Sequence, residues 1–220
     1  MTTPEDPPRS IRSCYDKLRK AVSNIPMDAS KSAKIENLAS EKISEILPNL
    51  YLSGRTVAQN QELLREKNVK TVINVSDREI PNYTATHPTI RNYKYYTMSD
   101  TASGNFDGIV EEAVTLIHET RIRGESVLVH CFLGVSRSAT LIAFYLISAF
   151  GMNWREAVDY IRMRRHSANP NFGFLHQLKV YANTKAPETR LQLTNQRCQK
   201  MRESDGEVIK KYLPLAVIQL

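Results

Sequence analysis

The chain has 220 residues, enough for one domain with extensions, and its 41% hydrophobic and 24% charged content is ordinary for a globular protein. Its formal charge of +7 is spread thinly, as +2 over residues 1–44, +2 over 45–184 and +3 over 185–220, so no basic stripe marks a nucleic-acid footprint and no nucleic-acid partner is expected. No apolar run approaches the roughly 18 residues of a membrane span, the polar N-terminus lacks a signal-peptide pattern, and Cys14, Cys131 and Cys198 make no disulfide framework.

In chain order, Ser30–Ile46 reads as an amphipathic lead-in helix with Ile35, Leu38, Ile43 and Ile46 on one side. A helix is expected over Val57–Lys67 with Leu63 and Leu64 inward, then a strand over Lys70–Val75 and another over Tyr93–Met98. Asn105 or Ser103 is positioned to cap a helix in which Ile109, Val110, Ala113, Leu116 and Ile117 recur at helical spacing, ending at Gly124. The apolar run Ser126–Val129 reads as a buried strand, followed by the string HCFLGVSRS from His130 to Ser138 and by an apolar helix ending at Gly151. Asn153 and Glu156 form a capping-box pattern for a helix over Trp154–His166, and Pro170 is placed to open the last core helix through Phe174, Leu175 and Leu178. Alternating strand and helix signals predict an α/β fold with a mostly parallel central sheet flanked by helices.

The strand-to-helix loop is where chemistry concentrates. Five residues separate Cys131 from Arg137, and this loop of Phe132, Leu133, Gly134, Val135 and Ser136 is short enough to wrap one tetrahedral anion. Consecutive N–H groups in such a turn form an anion nest, and the helix beginning near Ser136 adds its positive end. The guanidinium of Arg137 matches two phosphate oxygens at once. The same field favours thiolate over thiol at Cys131, which would then be an in-line nucleophile, with the Ser138 hydroxyl donating to the sulfur when it must leave. A cysteine closing an apolar strand is otherwise a small buried hydrophobe; the complete H-C-x5-R-S string at this junction favours the nucleophile. His130 reads as a core residue that positions the loop. No second Cys or His stands at metal-ligand spacing, so neither metal nor cofactor is expected.

HCFLGVSRS also carries the signature H-C-x5-R-[ST] of the cysteine-dependent phosphatases and resembles the dual-specificity branch, in particular the MAP-kinase-phosphatase type. The resemblance extends to Ile46–Gly54, Thr71–Ser76, the pair Arg164 and Arg165, and Asn169–Phe174, covering about residues 43–184. It implies a protein-tyrosine-phosphatase-like fold and a catalytic domain over 43–184, between an N-terminal extension (1–42) and a C-terminal tail (185–220). It further implies a phosphoprotein phosphatase acting through a phosphocysteine. Leu133 departs from the pattern, standing where relatives usually carry alanine, which puts rate and substrate range in question.

Expelling an alkoxide or phenoxide needs a proton, and a carboxylic acid on a separate loop can supply it. Asp100, at the end of the Tyr93–Met98 strand, is the candidate, and in the resembled family the general acid lies on this loop. Its alternative is a turn cap beside Asn105 and Asp107; Asp107 itself would sit in the first turn of a helix. The arginine-rich stretch Arg162, Arg164, Arg165 and His166 reads either as a solvated helix end or as a contact for a second phosphate through Arg164 or Arg165. The loop side chains carry no charge, which favours phosphoproteins over phosphoinositides or RNA 5′ ends. A non-catalytic phosphopeptide-binding module would use the same nest without needing the thiol. Phosphorylated proteins, MAP kinases among them, are the expected partners. Lys210–Leu215 has the basic-then-leucine pattern of a docking peptide, and a terminal strand or tail is the competing reading. A working thiolate suits the reducing cytoplasm or nucleus.

Overall fold

The computed structural model describes residues 42–194 and 198–214, together with 216 and 218. The expected helix over Ser30–Ile46 lies largely outside them, as does Cys14; its end, Ser44–Leu47, is a strand (β1). Pro48 and Asn49 turn the chain, Asn49 in the left-handed region (φ 64), into β2 (Leu50–Ser53), which pairs antiparallel with β1. The predicted Val57–Lys67 helix is instead two short ones, α1 (Arg55–Ala58) and α2 (Gln61–Glu66). Asn60 divides them because its side chain accepts from the Leu63 N–H at 3.0 Å, a cap that outcompetes helix continuation. Leu64 is buried and Leu63 only partly.

β3 (Val69–Ser76), α3 (Tyr83–Thr86), β4 (Asn92–Thr97), α4 (Val110–Ile122) and β5 (Ser126–His130) follow. The sheet order is β1-β2-β5-β3-β4, parallel throughout except for β1, as the alternating sequence signals required. Side chains on β5 alternate: Val127 and Val129 enter the main core, Leu128 the smaller one on the opposite face with Tyr51, Val72, Leu64 and Tyr83. α4 begins without the expected cap. Asn105 Oδ1 accepts from the Asp107 N–H at 2.9 Å, forming a turn ahead of the helix, while Ser103 bonds Thr101.

All fourteen residues of α5 (Arg137–Phe150) are buried, so a helix apolar on nearly every side became the spine of the main core. It packs against α4, α6 (Trp154–Arg164), α7 (Phe172–Thr184) and α8 (Ala186–Leu193). The capping box at Asn153 and Glu156 forms as predicted. α7 starts two residues later than expected: Phe172, not Pro170, is its first residue, and Asn171 caps it by accepting from the Phe174 N–H at 3.0 Å.

The segment expected as a tail carries α8 and α9 (Gln199–Tyr212), both docked on the core. Arg190 donates to the carbonyls of Ile147 and Ser148, and Arg202 to that of Ala149, all within 3.1 Å. The Ser148 and Ala149 acceptors at the C-terminus of α5 thus gain partners, and the Ile147 carbonyl, already taken by the Gly151 N–H, gains a second. The Arg121–Asp205 ion pair (2.7 Å, each side chain 1% exposed) ties α4 to α9. Lys210 and Lys211 lie in the last turn of α9 rather than in an extended docking peptide, and Leu215 lies outside the described residues.

Candidate active site

Parallel strands end together, and their carboxyl edge is where α/β sheets gather ligand-binding loops. Here Ser53 and Asn74 are in register with His130, so β2, β3 and β5 deliver their following residues to one edge, with β4 alongside β3. Cys131 follows β5, Asp77 follows β3, and Asp100 lies three residues beyond β4.

The Cys131 side chain is buried at the base of the loop, where Sγ accepts the Gly134 N–H at 3.1 Å and the Ser138 hydroxyl at 3.2 Å. Both contacts favour a negative sulfur, as does the N-terminus of α5 behind it. Gly134 adopts φ +71, and a Cβ there would stand 2.5 Å from the Ser53 carbonyl, so neither the backbone angle nor the space accommodates a larger residue. Phe132 is 47% exposed at the loop's rim, and Leu133 and Val135 are partly exposed. His130 Nδ1 donates to the Cys131 carbonyl at 3.2 Å. Burial, with the nearby Arg55 charge, drives the imidazole down to about 4. It is neutral and positions the loop.

Arg137 is buried, and its Nη1 donates to the Met98 carbonyl (3.0 Å) and to Asp77 Oδ1 (3.1 Å). Its Nε makes no hydrogen bond and lies 3.6 Å from Asp100 Oδ2. The guanidinium is thus held by its edge while part of its donor set stays uncommitted. Asp100 is fixed beside it: Oδ1 accepts from the Ser136 hydroxyl (2.7 Å) and from the Asn171 amide (2.9 Å). The Asn171 amide also reaches the Thr101 carbonyl, so the N-terminus of α7 holds the acid's loop. Asp107, the competing carboxylate, is exposed and 3.8 Å from Lys185, far along the α4 side.

Cys131, Arg137, Ser138, Asp100 and the 132–136 loop therefore converge. Arg164 and Arg165, considered as contacts for a second phosphate, do not. Arg164 donates to the Glu45 carbonyl and to the Tyr212 hydroxyl and stacks on that ring. Arg165, 4% exposed, turns inward to the back of the loop. Two residues were missed: Asp77, identifiable only by its place just after β3, and Asn171, which lies in the quoted Asn169–Phe174 string but gave no hint of its contact with Asp100. Burial and the Arg137 hydrogen bond act oppositely on Asp77, and the hydrogen bond prevails, holding its carboxyl below the usual range. Among the described residues no group of three or more His, Cys, Asp or Glu side chains converges as metal ligands would, and no helix is long and apolar enough to cross a membrane.

Residues 50–184 match the family model of the dual specificity phosphatase catalytic domain. The chain is 34% identical over 167 residues to dual specificity protein phosphatase 22 of Mus musculus, an alignment covering 75% of this chain and 83% of that protein. The crystal structure of DUSP15 superposes with a TM-score of 0.64 at 29% identity, over 69% of this chain and 94% of that one. That of a human tyrosine phosphatase-like serine/threonine/tyrosine-interacting protein gives 0.57 at 30% identity, over 64% and 95%. With a cysteine-centred anion loop at the edge of such a sheet and the catalytic-domain match spanning more than half of its length, this chain belongs to the dual-specificity protein phosphatase family.

Proposed function

We propose that the chain removes phosphate from phosphotyrosine and from phosphoserine or phosphothreonine in proteins, with Cys131 as nucleophile. The carrying observation is the sulfur that accepts from the Gly134 N–H and the Ser138 hydroxyl at the base of the loop, with Arg137 and Asp100 set 3.6 Å from each other at the same loop. The Cys131 thiolate attacks phosphorus, the bond to the leaving oxygen breaks, and protonated Asp100 gives that oxygen its proton. Water then attacks the phosphocysteine while the Asp100 carboxylate takes the water's proton. The S–P bond breaks, the thiolate returns to the Ser138 hydroxyl, and inorganic phosphate leaves. Arg137 binds the equatorial oxygens and neutralises charge as it spreads over them.

The uncharged side chains of Phe132, Leu133 and Val135 support phosphoproteins over phosphoinositides, whose additional phosphates would meet no cation in the loop. Activation-loop peptides of MAP-kinase type are the first substrates to try. Dependence on a reduced thiol supports a working place in the cytoplasm or nucleus. Residues 43–184 serve as the catalytic domain in this reading.

Cys131→Ser should abolish hydrolysis of an aryl phosphate while inorganic phosphate still binds; retained turnover would sink the mechanism. A phosphopeptide-binding module would bind equally well with serine and turn nothing over as wild type. Asp100→Ala should cost about 10²–10⁴-fold on alkyl phosphates and far less where the leaving group is already acidic. Equal losses on both would make Asp100 a structural residue.

A further inference from the structure

A loop presents its N–H groups to an anion only if its carbonyls face elsewhere, since an inward carbonyl would put negative charge against the phosphate. In this loop every carbonyl from Cys131 to Ser136 has a donor holding it. His130 Nδ1 holds that of Cys131, the Arg55 N–H that of Phe132 at 3.0 Å, and the Asn169 N–H that of Val135 at 2.8 Å. The Thr140 N–H and hydroxyl hold that of Ser136 at 2.8 and 2.9 Å.

The two central carbonyls share one donor. Arg165 Nε donates to the Gly134 carbonyl at 2.7 Å and Nη2 to that of Leu133 at 3.3 Å. The guanidinium is anchored from behind, where Nη1 donates to the Lys42 carbonyl (2.9 Å) and to the Ser44 hydroxyl (3.2 Å) at the start of β1. The planar fork reaches two successive carbonyls and a separate strand at once because its donors sit on three nitrogens; an ammonium group, with all its donors on one atom, cannot span them. The fit is close: a Cβ on Gly134 would stand 2.7 Å from Arg165 Nη2.

We propose that Arg165 is a positioning residue of the active site, whose fork keeps the Leu133 and Gly134 carbonyls turned from the anion and whose buried charge favours a negative Cys131 sulfur and a bound phosphate. The inference rests on the phosphatase reading for its meaning. Burial pulls the guanidinium down from its ordinary value and the Cys131 sulfur opposes that pull. The positive charge stands one residue from the sulfur, since Gly134 gives its carbonyl to Arg165 at 2.7 Å and its N–H to Cys131 Sγ at 3.1 Å, and it favours negative charge there. The hydrogen bonds of Arg165 go to the loop carbonyls and to the start of β1, so it acts from behind the loop through those carbonyls and its charge.

The test compares full-length Arg165→Lys and Arg165→Met with wild type. It measures binding of inorganic phosphate by calorimetry, iodoacetamide modification of Cys131 at pH 6 resolved by peptide mass spectrometry, and thermal melting. Arg165→Met should weaken phosphate binding about tenfold or more and slow the modification about fivefold, the scale of losing charge-assisted hydrogen bonds. Arg165→Lys should restore the modification rate to within about twofold, because charge remains, while phosphate binding stays weak, because the fork is gone. If the methionine variant does not fold, that split in the lysine variant decides alone. Wild-type phosphate affinity in either folded variant overturns the proposal, as do losses in both readouts that track the melting temperature. Neither readout needs turnover, so an inert wild type would remove the phosphatase reading while these measurements still test Arg165.

Discussion

At the scale of single residues, the site depends on one backbone position as well as on its reactive side chains. Gly134 sits at φ +71, contributes its N–H to Cys131 Sγ and its carbonyl to Arg165, and lies where any Cβ meets the Ser53 carbonyl. A side chain there costs about 1–2 kcal/mol for the left-handed angle alone. The contact with Ser53 adds to that, because it is backbone on a central strand and has nowhere to retreat. The loop must therefore move, taking its N–H groups off the anion. Gly134→Ala is expected to lower kcat/KM on an aryl phosphate about 100-fold, equivalent to about 2.7 kcal/mol of transition-state stabilisation, with the protein still folded. Steady-state kinetics beside a melting curve checks this; kcat/KM within twofold of wild type would mean the nest tolerates a displaced loop.

At the scale of elements, the helix that carries Arg137 is held at both ends by other parts of the chain. Its N-terminus is the anion loop, and its C-terminal carbonyls are taken by Arg190 and Arg202 from α8 and α9. The Arg121–Asp205 pair fastens α9 to α4, with Arg121 also on the Pro48 carbonyl and the Tyr145 hydroxyl. Burial pushes Asp205 up against the pull of Arg121, while the guanidinium, well supplied with acceptors, stays charged. Asp205→Ala strands that cation in the core and should cost about 3–5 kcal/mol. Urea unfolding would measure it, and a cost below about 1 kcal/mol would show α9 to be an accessory. None of this was legible in the sequence, where residues 185–220 looked like a tail: α8 is short and not distinctly amphipathic, and buried arginines read as surface ones. By contrast, β5, the loop and α5 were legible because an apolar strand, a loop signature and a helix apolar on nearly every side stood in succession. The helix over Val57–Lys67 was misread because Asn60 caps as readily as it continues a helix. Arg165 was misread because sequence shows charge, not which way a side chain turns.

For the whole molecule, the balance of burial and charge sets how stability responds to acid. His118 points from α4 to the end of α8, its Nε2 donating to the Leu193 carbonyl at 2.9 Å and its Nδ1 accepting from the Tyr145 hydroxyl at 3.3 Å. Burial drives it down to about 4, as it does His130 beneath the active-site loop. Both are neutral in the folded protein over a range in which an unfolded chain, with histidine near 6.5, binds protons. The unfolded state therefore takes up more protons as pH falls below about 6.5, and stability declines from there until the folded histidines protonate near 4. At pH 5 the shift is worth at most about 2 kcal/mol for each histidine. Asp205 works in the opposite sense, since its folded carboxyl accepts a proton more readily than an unfolded one. Asp205 offsets part of the two histidines' effect, and unfolding free energy from urea titration should fall by about 1–3 kcal/mol between pH 7 and pH 5. His118→Gln should lose about half of that slope, because glutamine keeps a donor for the Leu193 carbonyl without the titration. A stability that is flat across this range would mean that neither imidazole is held neutral in the folded core, and a halved slope in the wild type would mean that only one is.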